Sequence, residues 1–404
     1  MLQLCVAISS RVWLQIARTR SMKRFCYICA DKGVPLPGTK GASVHVASLC
    51  EAFNSHGLVG EIHTVRGESD ALCGNPLKPI DLPPRRKHKS LEDRENRLFL
   101  ARVDQISVVP DFIYERYSLW HSGGVYQARK LGIPFILEVN SPLPLETRKF
   151  RKLANESLAD GMARLLMREA DGIVCVSDEV AEWVISERLH SRGVKVIPNG
   201  VDEQKFQPDA KIRPPTLPPQ GTPLIGFTST FRPWHGIEDL LEAFRILVED
   251  LNSPAHLVCI GDGPARGDFL KHAEQLEIAD RIHAPGKLNH EDVGDWLASC
   301  DVAVAPYPEM SEFWFSPLKI FEYFGCGLPV VGSDVGQISD LLASGRGHLV
   351  AVGDLQAMSS RIHSLLSDPE DARKTGDRAR RWVLKNATWK IRAKEILDLV
   401  ESVR

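Results

Sequence analysis

The segment with the most chemical capacity reads Ser316-Pro317-Leu318-Lys319-Ile320-Phe321-Glu322-Tyr323-Phe324-Gly325-Cys326-Gly327-Leu328-Pro329-Val330-Val331, preceded by a strand ending Ala305-Pro306-Tyr307. Pro317 suits a first helical turn, where its missing N–H costs nothing. The free amides that follow, together with the helix dipole, make a site for an anion. Lys319 adds a full positive charge to that turn. Glu322 lies one helical turn further on, so the two side chains share a face. A cation for a diphosphate and a carboxylate for ribose hydroxyls is a sensible division of labour. The bland alternative is an amphipathic helix with an i,i+3 ion pair.

Three more loops carry candidates. Gly33–Gly41 reads G-V-P-L-P-G-T-K-G between a strand and a helix; Gly38 and Gly41 allow close backbone approach to a ligand, and Ser43 is placed to cap the helix. Phe231-Arg232-Pro233-Trp234-His235-Gly236 offers Arg232 as a bidentate phosphate ligand and His235 as a donor to an oxyanion. The alternatives are a flexible connector for the first loop, and a surface Arg232 with a packed Trp234 for the second. Gly261-Asp262-Gly263-Pro264-Ala265-Arg266-Gly267 nearly copies the dinucleotide fingerprint, with one extra residue before the last glycine. Pro264 removes an amide donor, and no acidic residue ends the next strand to hold a ribose, so NAD is not expected there. The 13 histidines show no H-E-x-x-H and no paired spacing near cysteines or acids, so no metal site is expected. A G-x-S-x-G elbow is also missing.

These loops need a frame. Short apolar strands are expected at 25–30, 59–64, 112–115, 134–138, 173–176 and 194–197, with helical patterns between them, the clearest at Lys149–Glu169. A second run predicts strands at 224–227, 255–260, 281–284, 302–305, 329–331 and 348–350, with helices at 236–250, 266–277, 317–326 and 355–366. Two helices are expected over 371–404. Short strands alternating with helices imply parallel sheets covered on both faces. The proline-rich stretch Gln207–Pro223 suits an extended linker. The expected division is an extension at 1–21, a first α/β domain at 22–202, a linker at 203–222, a second α/β domain at 223–383, and a final helix at 384–404. In open parallel sheets ligands bind beyond the carboxyl ends of the strands, so loops after strands carry the chemistry.

Composition narrows the partners. At 404 residues the chain is long enough for two or three domains. A net charge of -2 gives no overall basic excess to track nucleic acid. Nine scattered cysteines, an odd number, point to a reducing compartment. Cys26 and Cys29 form a C-x-x-C inside a strand, which makes them core residues rather than a redox pair. No apolar stretch reaches the ~18 residues of a spanning helix. Met1–Ser21 carries Arg11, Arg18 and Arg20 opposite an apolar face. It reads as a disordered tail, as an over-long start with Met22 the true first residue, or as a membrane-surface or targeting segment. The basic loop Pro83–Lys89 is a solvated loop or a grip for an anionic acceptor.

Taken together, from about Lys23 to the C-terminus, the chain resembles the family 4 glycosyltransferases of the GT-B fold. The resemblance rests on the early glycine loop before Gly41-Ala42-Ser43, on Ile197-Pro198-Asn199-Gly200-Val201-Asp202, Gly261-Asp262-Gly263-Pro264, Asp301-Val302-Ala303-Val304-Ala305-Pro306, and the Glu322 helix. Within the family the chain is similar to a subset reading S-P-x-K before the helix and W-H-G in the second domain. The resemblance implies two Rossmann-like domains facing across a cleft and a C-terminal helix returning to the first. It implies a retaining reaction with a UDP- or GDP-linked sugar, no metal and no other cofactor. It places Glu322 on the ribose, with Ser316, Pro317, Leu318, Gly41, Ser43, Gly261 and Gly263 around the donor. Arg232, His235, Lys319 and Asn140 then act at the reacting centre. The family's earlier motif glutamate falls at Trp314, with Glu312 out of register. Its phosphate-binding arginine and lysine fall near Thr230 and His235, and its sugar-contacting histidine falls at Asn140. The implied acceptor is a glycan, a lipid-linked glycan or a small molecule of cell-envelope or exopolysaccharide synthesis. The implied location is cytoplasmic, docking on the inner membrane face if the acceptor is lipid-linked. A sugar-nucleotide epimerase of the same fold and a non-catalytic nucleotide-sugar-binding protein are the alternatives.

Overall fold

The computed structural model describes residues 21–84, 90–103, 106–209, 212–310 and 312–404. The readings made above for the first 20 residues and for 85–89 of the basic loop lie outside them.

The first half runs β1 (Arg24–Cys29), α1 (Gly41–Ser55), β2 (Val59–Thr64), β3 (Ala71–Leu72), β4 (Asn75–Pro79), α2 (Leu91–Phe99), β5 (Phe112–Arg116), α3 (Gly123–Leu131), β6 (Phe135–Val139), α4 (Leu143–Phe150), α5 (Glu156–Glu169), β7 (Gly172–Cys175), α6 (Asp178–Arg188) and β8 (Val194–Val196). Its eight-stranded sheet has the order β3-β4-β2-β1-β5-β6-β7-β8, parallel except for the β3–β4 pair. All five residues of β6 are buried, as a strand covered by helices on both faces requires. Cys26 and Cys29 sit fully buried on β1, and burial pushes the Cys29 thiol up to about 12.

The second half runs β9 (Leu224–Thr228), a 3₁₀ turn (Pro233–His235), α7 (Ile237–Arg245), β10 (His256–Ile260), α8 (Arg266–Gln275), β11 (Ile282–Gly286), α9 (His290–Ala298), β12 (Val302–Ala305), α10 (Leu318–Gly325), β13 (Val330–Ser333), α11 (Gln337–Leu342), β14 (His348–Val350), α12 (Leu355–Ser367), α13 (Pro369–Asn386) and α14 (Trp389–Val403). Its six strands are all parallel, in the order β11-β10-β9-β12-β13-β14. In each sheet the first strand lies where the winding reverses, β1 between β2 and β5, and β9 between β10 and β12. Loops leaving those strands open into the crevice where open α/β sheets take ligands.

The chain crosses between the halves twice, side by side. Val201 and Thr388 form a parallel bridge, with Val201 N–H to Ala387 O at 2.9 Å and Trp389 N–H to Val201 O at 3.1 Å. A Cβ at Gly200 would stand 2.9 Å from the Trp389 nitrogen, so this crossing takes only glycine without movement. Beyond it, α14 returns to the first half and buries Trp389, Ile396 and Val400 with Phe25 and Phe53.

Two expected helices differ. The Lys149–Glu169 pattern is two helices, α4 and α5, because the buried Glu95 of α2 accepts the backbone N–H groups of Ala154 (2.9 Å) and Asn155 (3.0 Å). A carboxylate distant in sequence thus captures amides that a continuous helix would use itself. The helix expected at 236–250 is α-helical only to Arg245 and finishes as a π turn over Ile246–Asp250.

Candidate active site between the two sheets

A cleft of about 650 Å³ opens between the carboxyl ends of the two sheets. Gly41, Asn140, His235, Gly261, Gly263, Ser316, Pro317, Leu318, Lys319 and Glu322 all line it. The other two expected site residues, Arg232 and Ser43, do not.

Arg232 is exposed, its guanidinium 5.7 Å from the Trp234 ring centroid, and Trp234 in turn packs 5.2 Å from Phe150 of the first half. Ser43 is not a cap: α1 begins at Gly41 after Lys40, and the buried Ser43 hydroxyl lies within the first turn without a hydrogen-bond partner. It faces Gly38, where a Cβ would come within 2.7 Å of it. Pro317 is the residue before α10 rather than its first helical residue.

Lys319 is the distinctive group. It stands on the first turn of α10, which has no side-chain cap, so its leading amides stay available. Only 8% of Lys319 is exposed, and its Nζ has no hydrogen-bond partner. The ammonium sits 4.4 Å from the Phe227 ring centroid and 5.2 Å from that of Tyr307. Ring faces attract a cation but do not replace its lost hydrogen bonds. Burial accordingly lowers its pKa to about 7, with Glu322 opposing. The i,i+3 ion pair does not form; Glu322 Oε1 instead meets His290 Nε2 at 3.2 Å.

His235 Nδ1 lies 2.8 Å from Ser229 Oγ, which also accepts the Phe231 N–H at 2.9 Å. The arrangement that uses every hydrogen sends the Ser229 hydroxyl to Nδ1 and leaves N–H on Nε2. Burial, then Lys319 and Arg232, push the His235 pKa down to about 3, so the ring is a neutral donor at working pH.

Gly261 and Gly263 line the cleft for a reason other than ligand approach alone. A Cβ on either would fall 1.8 Å from a carbonyl oxygen, of Ser229 and Thr230 respectively. Two strand-end loops pass so closely that side chains are excluded. Gly41 meets the opposite domain: its Cβ would stand 3.3 Å from Leu318 Cδ1.

On the first domain's wall, Asn140 donates to Glu138 Oε1 at 2.6 Å. Glu138 is fully buried at the end of β6. Its carboxylate also meets Arg116 (2.6 Å), Tyr114 (2.8 Å) and His45 (2.9 Å). Burial would raise its pKa, but His45, Arg116 and Asn140 outweigh that and hold it well below the ordinary carboxylate range. Sequence reasoning missed Glu138, His45, Arg116 and His290. A glutamate ending an apolar strand, and a histidine one turn after Gly41, were the available signals.

Trp314 is buried among first-domain residues such as Val180 and Tyr117, and its carbonyl accepts the Ser177 hydroxyl at 3.3 Å. Glu312 does not line the cleft and pairs with Lys149 at 3.3 Å. Among the described residues, the one cluster with metal-ligand spacing is Cys26, Glu61 and His63, apart from the cleft. Glu61 there is already occupied, by His63 Nε2 at 2.9 Å and the Ser107 N–H at 3.0 Å.

Two family models match along the chain: Glycosyltransferase Family 4 over residues 39–205, and Glycosyl transferases group 1 over 208–382. The chain is 24% identical to the N-acetyl-alpha-D-glucosaminyl L-malate synthase of Bacillus anthracis, over 80% of this chain and 79% of that protein. It is 25% identical to the GDP-mannose-dependent alpha-(1-6)-phosphatidylinositol monomannoside mannosyltransferase of Mycolicibacterium smegmatis, over 60% and 65%. Among solved structures, sucrose-phosphate synthase from Thermosynechococcus elongatus superposes with a TM-score of 0.73 at 19% identity, covering 94% of this chain and 98% of that one. Anabaena Alr3699/HepE in complex with UDP-glucose does so with a TM-score of 0.68 at 16% identity, covering 95% and 100%. The fold is therefore GT-B. No described helix is long and apolar enough to cross a membrane.

Proposed function

The chain belongs to glycosyltransferase family 4 and is a glycosyltransferase, and from that premise we propose that it is a retaining enzyme whose donor diphosphate lies on the first turn of α10. The observation that carries this reading is Lys319, a buried ammonium without a hydrogen-bond partner, on an uncapped helix start that faces the cleft. A buried charge is costly unless paired, and a diphosphate supplies the missing partner. Glu322 then takes the ribose hydroxyls, and His235 donates from Nε2 to the leaving phosphate. In the transfer, the bond from the anomeric carbon to the diphosphate oxygen breaks and a bond to the acceptor hydroxyl oxygen forms. The acceptor's proton leaves toward the departing phosphate. Charge grows on that phosphate, where the fixed donors of α10, Lys319 and His235 stabilise it. The ammonium performs the neutralisation that a metal would otherwise supply.

One relative is named for GDP-mannose and one structural neighbour holds UDP-glucose. Both donors are therefore candidates here, with a glycan or lipid-linked acceptor of cell-envelope or exopolysaccharide synthesis. The test is calorimetry with UDP, GDP, ADP and NAD in the presence of EDTA. The expected result is binding of UDP or GDP without metal. Binding of NAD alone, or of none of them, overturns the reading.

A further inference from the structure

One buried network runs from the first domain's sheet to the start of α10, and none of its inner members was assigned a role above. His45, on α1, faces an acceptor with each ring nitrogen. Nε2 lies 2.9 Å from Glu138 Oε2, and Nδ1 lies 2.7 Å from Asn199 Oδ1. The Asn199 orientation is fixed, because its Nδ2 donates to the Ser316 carbonyl at 2.6 Å. Glu138 accepts from Arg116, Asn140 and Tyr114 and is an ionised acceptor. Both ring nitrogens of His45 are thus engaged by protein oxygens.

Asn199 is equally committed. Its N–H donates to Ser316 Oγ at 3.0 Å, and its carbonyl accepts Arg392 Nε at 3.2 Å. It lies beside the double crossing at Gly200 and Trp389, and the His45 ring packs edge-on against Trp389 at 4.9 Å. Ser316 is the last residue before Pro317 and the first turn of α10. Pro317 has no N–H, so the Ser316–Pro317 peptide unit can be held only through its carbonyl, the group that Asn199 grips.

His45 lines the cleft, yet both its nitrogens are spent on protein. It has no hydrogen-bonding capacity left for a substrate. We propose that His45 is a positioning residue which, clamped between Glu138 and Asn199, fixes the Ser316 peptide and so aims the first turn of α10 at the donor diphosphate. This rests on the donor reading given above. The network joins the first domain, the crossing and the donor helix, so the helix start is set by the domain opposite to its own.

The test uses the full chain, with UDP and GDP as probes in calorimetry. His45→Gln keeps one donor for Glu138 but turns an oxygen toward Asn199. Asn199→Asp keeps the contact to His45 but cannot donate to Ser316. Each is expected to weaken diphosphate binding roughly ten-fold or more. The double variant should lose little beyond the larger single effect, since both break one chain. In donor hydrolysis with UDP-glucose or GDP-mannose, KM should rise while kcat stays within about two-fold, a split that general destabilisation does not produce. If His45→Gln fails to fold, Asn199→Asp carries the same test, since it removes the donor to the Ser316 carbonyl. Lys319→Ala separates the two readings. Weak binding by Lys319→Ala with wild-type binding by the His45 and Asn199 variants overturns the positioning role alone. Wild-type binding by Lys319→Ala overturns the donor reading itself.

Discussion

The two walls of the cleft treat buried charge in opposite ways. On the first domain, Glu138 is surrounded by Arg116, His45, Asn140 and Tyr114, and each contact is a hydrogen bond. On the second, Lys319 is buried with only the faces of Phe227 and Tyr307 beside it and no hydrogen-bond partner. A satisfied network rigidifies and holds geometry, whereas an unsatisfied charge stores affinity for a ligand of opposite sign. On the donor reading proposed above, the contrast gives the first wall to positioning and the second to binding.

Four measurements break or sharpen it. The largest effect is expected from Glu138→Ala, which strands Arg116 and His45 in the interior. It should cost about 3–5 kcal/mol of stability in urea unfolding, the usual loss on breaking a buried charged pair. A loss under about 1 kcal/mol would mean the first wall is not the rigid one. Next, Lys319→Ala should lower the rate of the transfer step, measured in a single turnover, by roughly 10²–10³-fold, about 2.7–4 kcal/mol, with the folded chain intact by circular dichroism. An unchanged rate would remove Lys319 from the reaction. Smaller is the pH effect. Lys319 titrates at about 7 in the free protein, so UDP or GDP affinity should weaken as pH rises above that, and binding there should take up a proton. The same depressed pKa works the other way on stability. Between about 7 and the ordinary lysine value of 10.5 the unfolded chain holds a proton that the folded chain has released, so this group's contribution makes the ligand-free protein more stable as pH rises. Affinity that is flat with pH in wild type would contradict this, as would a slope that survives in Lys319→Ala. The smallest effect is Arg232→Ala, which should change donor KM by less than about two-fold because Arg232 stands outside the cleft.

Much of the architecture was legible because it is written locally. Twelve of the fourteen described strands were found from short apolar runs, with β3 and β4 missed, and the shared helix of Lys319 and Glu322 from its spacing. What was not legible depends on contacts between distant segments. The break between α4 and α5 follows from Glu95 taking amides some 60 residues away, and no periodicity shows that. Ser43 looked like a cap because caps are read one residue at a time, while α1 in fact starts at Gly41. Arg232 was chosen by type alone, and the sequence does not show that it is exposed beside the Trp234 ring, which itself packs on the opposite domain. Gly261 and Gly263 were visible as a glycine pair; that they clear the path of the Ser229–Thr230 backbone was not. His45 and Glu138 escaped notice because each is ordinary in its own element and informative only as a pair.

Trp314 has a consequence for the rhythm of turnover. Its ring belongs to the second domain's chain but is buried in the first domain's core. Any opening wide enough to separate the domains there must draw that ring into water. An aromatic side chain of this size covers about 150–250 Å², which at ~25 cal/mol per Å² is roughly 4–6 kcal/mol. That burial favours the closed form, and opening is the expected slow step of the cycle. Product should appear in a fast first burst followed by a slower steady rate, and Trp314→Ala should quicken the slow phase while leaving the burst in place.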